Sequence, residues 1–229
     1  MKTIGLLGGT GWSSTIGYYK ALNELVGERL GGLHSAKILL KSIDYHDIMS
    51  HYGKDHDKVA ALLKMELLEL ISLKPECIVI CCNSLHKYYD RIKHELQTQI
   101  PFMHAVELVA EYLLTQNQKS VLLLATTFTM EDGFFARILE QNGISVTIPT
   151  KEERAQMHEI HDELMHNIVT DKSRDYFADL IKRHQNLDAV VLGCTEYPML
   201  VDVANSVLPV VDPVKLQAKA AVDFALADA

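Results

Sequence analysis

The sequence predicts an α/β fold built from two similar halves, each with a parallel β-sheet. Short apolar runs typical of buried strands alternate with amphipathic helical segments along the chain, which is the order that parallel sheets require. The two halves also repeat one another, which indicates an internal duplication. The matching pairs are residues 2–7 with 119–124, Cys82 with Cys194, and residues 101–108 with 209–216.

The first half begins with a predicted strand at residues 3–7 that runs into a glycine-rich turn and a helix. Ser13 or Ser14 suits the start of this helix, and the glycine pair 31–32 suits its end. A polar, histidine-rich loop is predicted at residues 44–57. The other elements predicted in this half are strands at 36–43 and 77–82 and helices at 56–73 and 84–97.

The second half repeats the alternation of strands and helices with shorter loops. Its short apolar runs predict strands, and its longer amphipathic segments predict helices. The predicted strands are 101–104, 120–125, 144–148, 189–193 and 208–211, and the predicted helices are 105–115, 130–141, 151–169, 173–185 and 214–226.

Composition and charge exclude several classes of function. A hydrophobic content of 48% with 23% charged residues is ordinary for a soluble globular protein. The net charge of −8, without a lysine or arginine cluster, argues against nucleic-acid binding. We expect no signal peptide and no membrane association, because the apolar runs are too short. Four cysteines do not make a disulfide framework in a chain of 229 residues, so we expect a cytoplasmic protein with reduced thiols.

Two predicted strands end in a cysteine that is followed by small polar residues. The apolar run that starts at residue 78 stops at Cys82, and the run that starts at residue 189 stops at Cys194. Free cysteine is among the most buried residue types, so two core thiols are the alternative interpretation. The matched placement, at positions where a helix start favours thiolate, instead predicts two thiols facing one pocket. The polar residues that follow are Asn83 and Ser84 in the first half and Thr195 in the second.

Other motifs carry weaker signals. The turn Gly9-Thr10-Gly11 suggests a dinucleotide site, but the sixth position of that fingerprint is Ser14, so a turn that binds a carboxylate is favoured. We expect no metal site, because no cysteine and histidine set has structural-zinc spacing. The histidines of one predicted helix are expected on a solvated face, and those of the first-half loop either line the mouth of a cleft or are simply exposed. These are His158, His161 and His166 on the helix, and His46, His51 and His56 in the loop.

Several motifs resemble the aspartate/glutamate racemase superfamily, over essentially the whole chain. The most specific are Cys82-Asn83-Ser84 with His86, and Gly193-Cys194-Thr195-Glu196. The others are Gly5-Leu-Leu-Gly-Gly, Ala125-Thr126 and Gly31-Gly32-Leu-His-Ser-Ala, the last being similar to a bacterial branch active on L-substrates.

The resemblance implies a fold of two α/β lobes with the active site between them. The C-terminal segment then returns to the first lobe, so the domains are expected at 1–98 plus 209–229 and at 99–208. The implied activity is cofactor-independent racemisation of an amino acid, with aspartate as the first candidate and glutamate as the second. The resemblance also implies that two copies can form a homodimer.

Racemisation requires a base on one face of Cα and an acid on the other, and the resemblance assigns these roles to Cys82 and Cys194. The α-carboxylate is expected to bind amides and hydroxyls of Asn83, Ser84, Thr126 and Thr195. His86 and Glu196 are expected to support the thiols, although Glu196 also fits a simple helix-start carboxylate.

The substrate side chain is harder to place, because this chain departs from the family pattern. It has Thr10 where the family usually has Met, Met165 where some aspartate racemases have Lys, and no Arg after the second strand. Thr10 and Tyr52 are therefore the candidate side-chain ligands, together with His51 and Lys54. A hydantoin racemase, a maleate isomerase and a non-catalytic amino-acid-binding protein remain alternatives.

Overall fold

The computed structural model describes residues 1–227 and has an α/β fold with two parallel sheets, as the sequence predicts. The chain forms two compact units. Residues 1–105 together with 214–227 make the first unit, and Val106–Pro213 make the second. No helix in this part of the chain combines the length and the apolar character needed to cross a membrane.

The first unit contains a three-stranded parallel sheet in the order β2-β1-β3. Its central strand is buried along its whole length, as the continuous apolar run predicts. The strands are β1 (Ile4–Gly8), β2 (Ile38–Ser42) and β3 (Cys77–Ile80), and the helices are α1 (Trp12–Leu30), α2 (His46–His51), α3 (His56–Ser72), α4 (His86–Ile92) and, at the end of the chain, α10 (Pro213–Leu226).

Helices α1 and α10 share the apolar core of this unit with β1 and β3. Tyr18 of α1 is fully buried and its hydroxyl donates to the Gln217 side chain of α10 over 2.5 Å. The backbone N–H of Lys2 donates to the Ala225 carbonyl. The C-terminal helix is therefore an integral part of the first unit.

The second unit contains a four-stranded parallel sheet in the order β5-β4-β6-β7. Its longest helix begins with a capping box, in which Thr150 and Glu153 satisfy each other's backbone amides. The strands are β4 (Ser120–Leu124), β5 (Ser145–Thr147), β6 (Ala189–Leu192) and β7 (Val210–Val211), and the helices are α5 (Ala105–Thr115), α6 (Thr127–Asp132), α7 (Phe134–Gln141), α8 (Lys151–Met165) and α9 (Asp171–Arg183).

Several predicted elements are shorter or divided in the structure. The predicted loop at 44–57 contains α2, and the predicted helix at 84–97 consists of α4 flanked by two 3₁₀ turns. Gly133, in the left-handed region at φ 73°, separates α6 from α7 within a segment predicted as one helix.

The units also end at different residues from the predicted domains. Phe102 bridges to Ile78 of β3 in the first unit, and β7 pairs with β6 in the second. The segment at Phe102 therefore extends the sheet of the first unit, and β7 extends the sheet of the second. The units accordingly divide after residues 105 and 213, whereas the sequence predicts division after 98 and 208.

Candidate functional site

Cys82 lies just beyond the carboxyl end of β3, where the backbone is held by β1 and by the turn that follows it. The N–H of Cys81 donates to the Leu7 carbonyl over 2.9 Å, and the Thr10 hydroxyl donates to the Cys81 carbonyl over 3.0 Å. Thr10 thus uses its proton to position the strand end. Its predicted contact with a substrate side chain stays a prediction.

Two hydroxyl groups lie near the Cys82 sulfur, and a third contacts one of them. The Ser84 hydroxyl lies 3.4 Å from Sγ and the Tyr45 hydroxyl 3.9 Å, while the Tyr52 and Ser84 hydroxyls are 3.0 Å apart. Burial, reinforced by the nearby Cys82 sulfur, raises the pKa of Tyr45 and of Tyr52 well above the ordinary tyrosine value. Both tyrosines therefore keep their protons at neutral pH, so this site can donate hydrogen bonds to a thiolate.

Asn83 is a buried amide with unused hydrogen-bonding capacity. Its side chain is 3% exposed, and neither its nitrogen nor its oxygen has a partner among the described residues. A buried polar group without a partner costs roughly 1–3 kcal/mol, so this amide beside a strand-end thiol has the capacity to bind a polar ligand group.

His86 stabilises the loop of Cys82 through backbone carbonyls. Its Nδ1 lies 3.1 Å from the Cys82 carbonyl and 3.3 Å from that of Asn83, and its Nε2 lies 3.4 Å from the Gln217 amide nitrogen. Burial lowers the pKa of His86 to about 3, with the neighbouring His104 contributing. A ring that stays neutral and binds backbone carbonyls positions the loop. The expected support of the Cys82 thiol by His86 stays a prediction.

Cys194, in the second unit, has a carboxylate as a polar partner. The thiol donates to Glu196 Oε2 over 3.1 Å, and the Thr195 hydroxyl donates to the same oxygen over 2.9 Å. Cys194 and Glu196 are 5% and 4% exposed. Only a 3₁₀ turn, Tyr197–Met199, follows this strand end. The carboxylate beside Cys194 therefore accepts the thiol proton. It contacts the thiol directly and does not merely offset the charge at the start of a helix.

His161 of α8 is a site residue that the sequence did not indicate. One of its ring nitrogens lies within 4.8 Å of both the Cys194 sulfur and a Glu196 oxygen, and its ring packs against Tyr197. Burial lowers the pKa of His161, and the Glu196 carboxylate partly opposes that shift. The expectation of a solvated helix face is correct for His158 and wrong for His161, because the inward side of α8 reaches the end of β6.

The remaining candidates have simpler surroundings. Cys77 and Cys81 are buried core thiols, as predicted; burial raises the pKa of Cys77 to about 12 and raises that of Cys81 further. Thr126 caps α6 by accepting from the Thr129 N–H over 3.3 Å. Its role in substrate binding, like that of Ser84 and Thr195, stays a prediction.

Comparison with known proteins gives one consistent family. The model of the Asp/Glu/hydantoin racemase family matches residues 7–221. A Yersinia pestis protein provisionally described as an Asp/Glu racemase is 38% identical, with a TM-score of 0.87 over 99% of this chain and 100% of that chain. An aspartate racemase homologue from Pyrococcus horikoshii is 26% identical, with a TM-score of 0.86 over the same shares. The broad specificity amino-acid racemase RacX of Bacillus subtilis is 25% identical over 76% of this chain and 75% of its own length.

Proposed function

This chain belongs to the Asp/Glu/hydantoin racemase family, and we propose that it racemises an amino acid by proton transfer between Cα and the thiols of Cys82 and Cys194. The matched placement of these thiols carries the proposal. Cys82 follows β3, the neighbour of β1, and Cys194 follows β6, the neighbour of β4. Corresponding strands of the two units therefore end in a thiol, which supports two groups acting on one substrate from opposite sides.

The surroundings of the two thiols favour different protonation states. Hydroxyl groups near Cys82 can donate to a thiolate, whereas Glu196 accepts the proton of a neutral Cys194. We therefore assign Cys82 as the base and Cys194 as the acid in the resting protein. The Cys82 thiolate takes the Cα proton, and the electron pair of the C–H bond moves into the α-carboxylate. The Cys194 thiol then protonates the opposite face and is left as a thiolate.

The α-carboxylate gains charge in this step and needs hydrogen-bond donors. Asn83 meets that need, since its buried amide has no partner among the described residues. Donors aimed at a developing charge typically contribute about 3–4 kcal/mol each to the transition state. Ser84, Thr126 and Thr195 are proposed as further contacts of the carboxylate. No metal or organic cofactor takes part in the proposed reaction.

For the substrate we propose an acidic amino acid, aspartate first and glutamate second. The likeness to the Pyrococcus horikoshii aspartate racemase homologue supports this order. The side-chain carboxylate would be met by neutral groups such as Tyr52, or by Lys54, an exposed cation of the same loop. A site of hydroxyl groups binds a carboxylate more weakly than an Arg fork does, so the preference is expected to be modest.

The test combines isotope exchange with loss of each thiol. Purified protein is incubated with single enantiomers of aspartate, glutamate, asparagine and alanine in D₂O, and inversion and Cα deuteration are measured by chiral chromatography and NMR. Aspartate should be inverted with deuterium at Cα. Cys82→Ala and Cys194→Ala should each lower racemisation by roughly 10²-fold or more.

Cys77→Ala is the matched control, because Cys77 is a buried thiol of the core that the mechanism does not use. It should keep its racemase activity, and activity should survive dialysis against a chelator. Binding of aspartate without any deuteration would identify a binding protein instead. A preference for alanine by more than about tenfold in kcat/KM would reject an acidic substrate.

A further inference from the structure

We propose that His161, Cys194 and Glu196 form a binding site for zinc, at which the metal reversibly blocks Cys194. This site goes beyond the proposed reaction, which uses no metal, and it departs from the expectation of no metal site. Its inhibitory effect rests on the proposed function, whereas binding of the metal does not.

Three different donor atoms converge at this place in the second unit. A ring nitrogen of His161, the Cys194 sulfur and a Glu196 oxygen all lie within 4.8 Å of one another. In a tetrahedral zinc site, bonds of about 2.0–2.3 Å place the ligand atoms roughly 3.3–3.8 Å apart. The sulfur and the carboxylate oxygen are already 3.1 Å apart, so a small movement of the half-buried His161 ring completes the set.

The chemical types of the three ligand atoms favour zinc over Mg²⁺ and Ca²⁺. Imidazole, thiolate and carboxylate are all zinc ligands, whereas Mg²⁺ and Ca²⁺ prefer oxygen alone. Three protein ligands leave a fourth position for water, as in zinc sites that are open to solvent. The ligands come from α8 and from the end of β6, more than thirty residues apart, which explains why sequence spacing did not reveal them.

The charge balance also favours a cation. Glu196 is buried and has no lysine or arginine partner among the described residues. Its Oε2 accepts hydrogen bonds from the Cys194 thiol and the Thr195 hydroxyl. Binding replaces the S–H bond of Cys194 by an S–Zn bond and releases that proton to solvent. The Glu196 carboxylate and the Cys194 thiolate then neutralise Zn²⁺, which lowers the cost of the buried charge.

A second set of ligands shares His161 but lacks sulfur. His158, His161 and Asp162 lie within 4.8 Å of one another on the more exposed side of α8. The two sites can be told apart by spectroscopy, because only the buried one places a thiolate on the metal. Since Cys77 and Cys81 are fully buried, a metal–sulfur bond can involve only Cys82 or Cys194.

The first arm of the test uses Co²⁺ as a spectroscopic substitute for zinc and needs no activity. Titration of the reduced protein should give a thiolate-to-cobalt charge-transfer band, with release of one proton per metal bound. Cys194→Ser should abolish the band, and His161→Ala should weaken binding by about tenfold or more. Cys82→Ser and His158→Ala should keep the band. Its absence in the wild-type protein, or its loss in Cys82→Ser alone, would overturn the proposal.

The second arm measures racemisation at free Zn²⁺ concentrations fixed with a metal buffer, because amino-acid substrates themselves bind zinc. Inhibition should be reversed by a chelator, retained in His158→Ala and weakened in His161→Ala. An active racemase without a cobalt–sulfur band rejects the zinc site and leaves the proposed function intact. A cobalt–sulfur band in a protein that racemises no amino acid supports the site and rejects the proposed function.

Discussion

At the scale of single residues, Cys82 and Cys194 differ in the groups that touch their sulfur atoms. Cys82 is partly exposed and lies among hydroxyl groups, whereas Cys194 is buried and donates to a carboxylate. A thiolate is stabilised by donors and destabilised by an adjacent negative charge. Two thiols at corresponding positions of a duplicated fold have thus acquired opposite environments, as a reaction that needs one base and one acid requires.

This difference predicts selective alkylation. With limiting iodoacetamide at neutral pH, Cys82 should be modified at least about tenfold faster than Cys194, since thiolate and exposure both favour it. Peptide mass mapping at several time points measures the order. Tyr45→Phe, which removes a hydroxyl near the sulfur and keeps the ring, should slow the reaction of Cys82. Faster modification of Cys194 would contradict the assignment of Cys82 as the resting base.

His86 predicts a dependence of stability on pH. Its pKa falls from the ordinary value of 6.5 to about 3 on folding, so between these values the unfolded chain binds a proton that the folded protein does not. Stability is therefore fully present above pH 6.5 and is lost as the pH falls towards 3. At pH 4.5 this residue alone should lower the free energy of unfolding by roughly 2 kcal/mol relative to pH 7.

Urea unfolding at pH 7 and pH 4.5 checks this value. His86→Gln, which keeps a donor for the backbone carbonyls, should reduce the loss of stability between the two pH values. His158→Gln, at an exposed position on α8, is the control and should leave that loss unchanged. Equal losses in the wild-type protein and His86→Gln would show that His86 is not the group responsible.

At the scale of secondary structure, the sequence predicts where the strands end better than it predicts which helix residues face the site. The apolar runs before Cys82 and Cys194 stop abruptly, and parallel strands present such ends at one edge of a sheet. His161 was missed because its contact depends on how α8 is rotated relative to β6, which the sequence does not give. Its acidic neighbours in the sequence suggested a solvent-exposed helix face instead. Tyr45 was missed as a contact of Cys82 because the loop that carries it contains the short helix α2.

The turn after β1 gives a prediction at this scale. Gly9 has φ 87°, and a Cβ there would lie 2.2 Å from the Ile43 carbonyl oxygen and 2.6 Å from its nitrogen. Gly9→Ala should therefore destabilise the protein by about 3 kcal/mol or more, because both the backbone conformation and the backbone contact are strained. Activity should fall as well, since Thr10 of this turn holds the Cys81 carbonyl.

Gly143→Ala is the matched control for the turn. Gly143 also has a positive φ, 76°, but nothing lies within 4 Å of a Cβ placed there, so its cost should be limited to about 1–2 kcal/mol. Urea unfolding of both variants measures the difference. Equal losses would mean that the contact with Ile43 relaxes without cost.

At the scale of the whole molecule, duplication explains why two units carry the same strand-end chemistry. In the first unit the segment at Phe102 borders β3, and in the second β7 borders β6, so both sheets are extended in the same way beside the cysteine strand. The histidine-rich segment that contains α2 belongs to the first unit.

The homodimer implied by the family resemblance stays a prediction, and helix α1 offers a surface on which to test it. Trp12, Ile16 and Tyr19 recur at helical spacing and are 60%, 57% and 54% exposed. An apolar stripe of this kind on a helix is typical of an interface. Each copy carries a net charge of −8, so association should strengthen as salt screens the repulsion between copies.

We expect Ile16→Glu to shift the protein towards monomer, because it places a charge in the centre of this stripe. Sedimentation velocity over a range of protein and salt concentrations measures the equilibrium, and the fluorescence of Trp12, the single tryptophan, should shift towards longer wavelength when the interface opens. Val203→Glu adds the same charge at an exposed apolar residue of the second unit and should leave the dimer intact. A wild-type protein that remains monomeric at every concentration would refute the dimer. A dimer that tolerates Ile16→Glu would place the interface on another surface.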